Sequence, residues 1–201
     1  MPRIVEYSQV RDRMIGGGFV SLYHNSGAFG FPRPREADVR MLGWIGPADG
    51  TIRAAIRPHV REIRPPHAAN LAAMLVRARQ FLPGEAWLMP KSHWHFELHD
   101  GHPEMLESLL PEIGIDAALL RDRNDGSAIA FGVGEDDLLR RAVERLLDGM
   151  RQSDFLVTFP DAADAGARAV CTVHHHRQLW WQTTSSDLIK QLENQSTQSS
   201  T

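Results

Sequence analysis

Pro90-Lys91-Ser92-His93-Trp94-His95-Phe96-Glu97-Leu98-His99-Asp100-Gly101 is the stretch on which the fold reading turns. Successive side chains of a strand alternate between its faces. Ser92, Trp94, Phe96 and Leu98 then share one face, and His93, His95, Glu97 and His99 share the other. The first face suits a core. The second carries three imidazoles and a carboxylate, and Asp100-Gly101 closes the run with a turn signal. The spacing predicts a strand over 92–99 in an α+β domain, with a histidine-bearing sheet face.

The segments on either side fit that class. Ala86 to Met89 reads as a strand, with Pro90 as a bulge or break. Before it, Leu71, Met74, Leu75, Ala78 and Leu82 recur at helical spacing, which predicts a helix over 70–82 that starts at an Asn70 cap and stops at Pro83-Gly84. After it, Pro103 suits the first turn of a helix through about Leu110. Ser127 to Val133 is a strand. Glu135 to Met150 carries a stripe of Leu138, Leu139, Ala142, Val143, Leu146, Leu147 and Met150, with acidic residues at its positive end. Phe155 to Phe159 and Ala169 to Trp181 are further strands, the second long or bulged.

Nearer the N-terminus, Val5 to Ile15 is a short amphipathic helix ended by Gly16-Gly17-Gly18. Strands are expected over 19–24, 41–45 and 52–57. The expected fold is a single mainly antiparallel sheet with helices 70–82 and 135–150 on one face. It spans 1–185, and a short helix and disordered polar tail follow at 186–201. Two units of β-α-β-β pattern, 52–99 and 127–180, suggest two similar halves that each end in a histidine-bearing strand.

Composition narrows the function classes. The 201 residues are 42% hydrophobic and 23% charged, as a domain with a real core requires. The formal charge of -3 supplies no overall basic field, so nucleic acid is not an expected partner. No apolar run is long enough for a membrane span, and no secretory segment is evident at the N-terminus. The single cysteine, Cys171, has no internal partner. Together these point to a cytoplasmic protein. Of the 22 basic residues only Lys91 and Lys190 are lysines, and arginine suits bidentate contacts to anions.

The ten histidines cluster. His93, His95, His99 and His102 form one group, and His174, His175 and His176 another. Histidines at i and i+2 of a strand lie roughly 6.6 Å apart along it, close enough to converge on one ion. If strands 92–99 and 170–180 are neighbours, His93, His95, His174 and His176 share a face. They then form a candidate centre for a divalent metal, zinc first, with Glu97 as general base or orienting carboxylate. The expected chemistry is metal-dependent hydrolysis of an unknown small molecule. A competing reading is a binding or regulatory module without chemistry. In it, Arg53, Arg57 and Trp180 hold an anionic or aromatic ligand or a partner protein. A third is a homodimer interface across the histidine face. A solvated polar sheet face explains the same residues with no site at all.

Overall fold

Short apolar runs become strands here, and the stretches with apolar residues three and four apart become helices. The structure, a computed structural model, describes residues 1–21, 29–30, 40–45, 68–163, 168–183, 185, 187–188 and 190–192. In chain order the elements are β1 (Arg3–Val5), α1 (Tyr7–Gly16), β2 (Val20–Ser21), β3 (Phe29–Gly30), β4 (Arg40–Ile45), α2 (Ala68–Arg79) and β5 (Ala86–Pro90). Next come α3 (Trp94–Phe96) with a π-helical turn (Glu97–Gly101), α4 (Pro103–Glu112), α5 (Ala118–Arg121), β6 (Ala128–Phe131) and α6 (Asp136–Gly149). The chain continues through β7 (Phe155–Thr158), a 3-10 turn (Pro160–Ala163), β8 (Ala169–His174) and β9 (Gln178–Thr183).

Seven strands form one sheet in the order β1-β6-β5-β7-β8-β9-β4, and every neighbouring pair is antiparallel. Strands β2 and β3 pair separately. The α+β reading is therefore correct. The main core joins α2, α4 and α6 to one sheet face: Leu71, Leu75 and Ala78 meet Leu106, Leu110, Leu139, Val143 and Leu147 above Leu88, Phe131, Val157, Cys171 and Trp181. Helices 70–82 and 135–150 thus share one core, as their single apolar stripes require. Leu188 and Leu192, one helical turn apart, also pack into it.

The second face is partly covered as well. Val10 and Met14 of α1 lie on Trp87, Met89, Ala130, Leu156 and Val170. Helix α1 ends where the glycine run begins: Gly17 N donates to Arg13 O at 2.9 Å and Phe19 N to Met14 O at 3.0 Å. Beyond α1, on β8 and β9, this face carries Thr172, His174, Gln178 and Trp180.

Two strands expected from the sequence take another form. In place of a strand over 92–99, residues 94–101 are helical, because Trp94 and Leu98 are buried four residues apart and Phe96 is only half-buried. Over eight residues a period of two mimics this pattern. The His93 ring caps the turn, its Nδ1 accepting from Phe96 N at 3.1 Å. The long strand 169–181 is a hairpin. Arg177 N donates to His174 O at 3.0 Å, and Arg177 takes a left-handed φ of 60°. This is the loop form in which a turn precedes one left-handed residue. With 92–99 outside the sheet, the two-unit repeat fails at its last strand. Asn70 lies inside α2 and is not its cap. Strand 52–57 with Arg53 and Arg57, and the tail 194–201, lie outside the described residues.

Between α2 and β5, the helix ends at Arg79 and runs on as turns to Leu82, just ahead of Pro83-Gly84. Gly84 has φ +84°, and a Cβ there would lie 2.0 Å from Asp161 Oδ2. That oxygen accepts from Glu85 N at 3.0 Å, so it is not free to retreat. Gly84→Ala is expected to destabilise the protein by about 1–3 kcal/mol through backbone strain. Urea denaturation checks this, and an unchanged midpoint would contradict the assigned backbone.

Candidate metal centre and histidine hairpin

Strand pairing gathers chemistry at one end of the sheet. Pro90 pairs with Phe155, Phe155 with Val173, and His174 with Gln178. Lys91, Asp154, His174 and Gln178 therefore follow one another across that end. The helical turn bearing the first histidine cluster starts just after Lys91.

Glu97 anchors that turn from beneath. Its side chain is fully buried, at 0% exposure. Ser92 Oγ donates to its Oε1 over a very short distance. Ser153 Oγ and His102 Nδ1 donate to Oε2 at 2.7 and 2.9 Å. Arg151 N donates to His102 Nε2 at 3.0 Å, so Nε2 is the acceptor nitrogen and Nδ1 carries the hydrogen. The general-base role expected for Glu97 is therefore corrected: enclosed and accepting three hydrogen bonds, it positions the turn.

Above this anchor, His95 and His99 stand four residues apart with ring centroids 4.3 Å apart. Asp122 comes from the residue just after α5. Single ligand atoms of His95, His99 and Asp122 lie within 4.8 Å of one another. His95 Nδ1 is 3.1 Å from Arg121 O. A carbonyl only accepts, so Nδ1 bears the hydrogen and Nε2 keeps its lone pair. His95 N donates to Arg123 O at 2.8 Å. Asp122 is thus held between two residues that both bind His95. Among the described residues, the Asp122 carboxylate has no hydrogen bond or ion pair. His93 stacks on His95 at 6.2 Å, but its Nδ1 accepts the cap bond. Its Nε2 therefore carries the hydrogen, and the ring offers no lone pair as it stands.

The second cluster sits on the β8–β9 hairpin. Single ligand atoms of His174, His175 and His176 also lie within 4.8 Å of one another. Asp154 Oδ1 accepts from His175 Nδ1 at 2.9 Å and from His175 N at 3.1 Å. Lys91 Nζ is 3.3 Å from Asp154 Oδ2. Burial works against this carboxylate, but the His175 hydrogen bond and the Lys91 charge outweigh it and hold its pKa below the ordinary value. His174 stacks face to face on Trp180, centroids 4.4 Å apart and planes 5° from parallel. Its Nδ1 accepts from His176 N at 3.2 Å.

Burial pushes the His174 pKa down to about 4, despite the opposing pull of Asp154; His175, His176 and Lys91 add to the fall. The unfolded chain titrates this group near 6.5, so between those values it binds more protons than the folded one. Stability must then fall as pH drops from about 6.5 towards 4. At about 1.4 kcal/mol per unit, the ceiling is about 3 kcal/mol. Asp154 acts in the same direction lower down: its lowered folded pKa stabilises above the unfolded value of 3.8, and that is lost as pH falls through the folded one. Urea midpoints measured from pH 8 to 4 should show the slope, and His174→Gln should remove its upper part. Identical slopes in both proteins would exclude His174 as the source.

The four histidines expected to share one face therefore divide. His95 joins His99 and Asp122, while His174 and His176 join His175. Strand β7 lies between β5 and β8, and the turn carrying His93 and His95 leaves the sheet altogether. Trp180 does stand on the His174 face, with its Nε1 donating to Gln178 Oε1 at 2.8 Å. Trp181 points into the main core and stacks on Phe159. Cys171 is buried in that core, and desolvation raises its pKa well above the ordinary value, so it is an inert apolar residue.

Asp122 and Asp154 were not legible as site residues. Each lies in a polar turn, and only the strand order and the α3–α5 packing bring them to imidazoles. Among the described residues, no helix is long and apolar enough to cross a membrane. No protein-family model, curated protein or solved structure matches this chain.

Proposed function

We propose that this protein binds a divalent transition metal at His95, His99 and Asp122 and uses it to activate water, as a metal-dependent hydrolase does. Two imidazoles and one carboxylate provide three protein ligands and leave an open position, the pattern of catalytic zinc. Zinc bound this way brings the pKa of its water to about 7 and so supplies hydroxide near neutral pH. The same donor set suits iron(II), so zinc is the first candidate among borderline metals.

The observation that carries this reading is the bond from His95 Nδ1 to the Arg121 carbonyl, 3.1 Å long. It fixes the tautomer and aims the ligating Nε2, the outer-shell arrangement typical of metal-bound histidine. Glu97 holds the turn from below, and His93 packs against His95. The alternative is a binding module using Trp180 with Arg53 and Arg57. It has less support, because the Trp180 ring already stacks on His174; Arg53 and Arg57 lie outside the described residues.

Elemental analysis of the full chain, purified without a histidine tag, tests the metal reading. Zinc, iron or manganese should be present in stoichiometric amount or be taken up on addition. His99→Ala and Asp122→Asn, both at exposed positions, should each remove that equivalent while the protein stays folded. Retention of the full metal content by both variants would end the proposal.

A further inference from the structure

The hairpin histidines remain outside that centre. They form a compact unit of their own: His174 ends β8, His175 and His176 make the turn, and the left-handed Arg177 returns the chain into β9. Ring centroids lie 4.3 Å apart for His174 and His175, 4.9 Å for His174 and His176, and 4.2 Å for His175 and His176. Three consecutive residues on a straight strand could not do this, because the middle ring would point to the opposite face.

We infer that His174, His175 and His176 form a second, independent metal site, made of imidazoles alone and suited to copper(II), nickel(II) or zinc(II). Two observations besides the clustering support it. The first is the Asp154 carboxylate, which accepts from His175 Nδ1–H at 2.9 Å and leaves Nε2 as the lone-pair nitrogen. This carboxylate–histidine pairing orients a ligand and raises its basicity. Asp154 is itself fixed: it accepts from His175 N and sits beside Lys91, and Lys91 N donates to Asp154 O at 2.9 Å. The second is the face-to-face stacking of His174 on Trp180, which holds that ring in place beside the other two.

His174 must adjust in order to bind. Its Nδ1 accepts from His176 N, so its Nε2 carries the hydrogen and lies 3.9 Å from Asp154 Oδ1. To coordinate through Nε2, the ring must move that proton to Nδ1 and give up one turn hydrogen bond. No such change is needed at His175. The all-imidazole donor set excludes magnesium and calcium, which require oxygen ligands. Asp154 is a positioning residue, because it acts through His175.

The site is tested in the full-length, tag-free His99→Ala/Asp122→Asn background, which lacks two ligands of the helical-turn centre. Titration with nickel(II) or copper(II) chloride, followed by calorimetry and visible absorption, should reveal one saturable equivalent that excess magnesium does not displace. His175→Ala and, separately, His176→Ala should abolish it. Asp154→Asn removes no ligand and should weaken binding about 10- to 100-fold, with far-ultraviolet circular dichroism reporting an intact fold. His176 lies in an exposed turn, so its variant decides the matter if His175→Ala fails to fold. No saturable equivalent in the background protein would overturn the inference, as would an equivalent that survives His176→Ala. A loss of metal between wild type and background reports on the helical-turn centre alone, so the two proposals fail separately.

Discussion

Replacing Glu97 with alanine should destabilise the protein by about 3–5 kcal/mol, because three buried donors lose their acceptor at about 1–3 kcal/mol each. The carboxylate accepts from Ser92, Ser153 and His102 with no exposure to water. Deleting it leaves two hydroxyls and an imidazole N–H without their acceptor, and each such loss is expensive in a dry site. Glu97→Gln should be milder, about 1–2 kcal/mol. The amide oxygen can face His102, whose Nδ1–H is fixed because its Nε2 accepts from Arg151, while the amide nitrogen faces a serine hydroxyl that can rotate. Gly101→Ala tests the same oxygen from outside, since its Cβ would lie 2.5 Å from Glu97 Oε2. For a chain of this size, 1 kcal/mol shifts Tm by roughly 2–4 °C, so Glu97→Ala should melt on the order of 10 °C lower. An alanine variant that melts like the parent would show that this network does not hold the turn.

Arg79→Met should produce the next largest loss, about 2–4 kcal/mol, from buried acceptors left unsatisfied. Arg79 is only 6% exposed, and its guanidinium closes the junction of three elements. It donates to Phe131 O at 3.1 Å and Gly132 O at 2.7 Å at the end of β6. It also donates to Gly84 O at 3.2 Å beyond α2 and to Asp136 Oδ1 at 2.5 Å at the start of α6. Methionine fills the space of the stem and donates nothing, so the measured loss isolates these bonds from packing. Arg79→Lys should recover only part of the loss, because one ammonium can face the three carbonyls that share Nη2 but cannot also reach Asp136. Denaturant unfolding of the pair checks this, and a lysine variant as stable as the parent would contradict it.

Both effects concern residues whose importance is hidden along the chain. Arg79 reads as the last charged residue of an amphipathic helix, and Glu97 as part of a polar strand face. Helices α2 and α6 were legible because their apolar stripes run three to four turns, long enough for a period of 3.6 to stand out from a period of two. Strands β5, β6 and β7 were legible as short apolar runs bounded by turn residues. The segment 92–99 was misread because eight residues sample too few periods. Its cap is also hidden in the sequence, since the acceptor is an imidazole and not one of the usual small polar side chains. The hairpin at 175–177 escaped notice because Arg177, not glycine or asparagine, takes the left-handed position.

The chain by itself determined the α+β class, the two helices that share the main core, and the presence of two histidine clusters. These are properties of local period and composition, which neighbouring residues carry between them. Only the tertiary structure decided which imidazoles meet. The strand order places β7 between β5 and β8, and with it Asp154 beside His175. The packing of the α5 end against α3 sets Asp122 beside His95 and His99. A site depends on the direction of a lone pair as much as on the identity of a ring. That direction is set by hydrogen bonds to carbonyls and carboxylates 21 to 26 residues away in sequence, at a range where no local pattern in the chain records them.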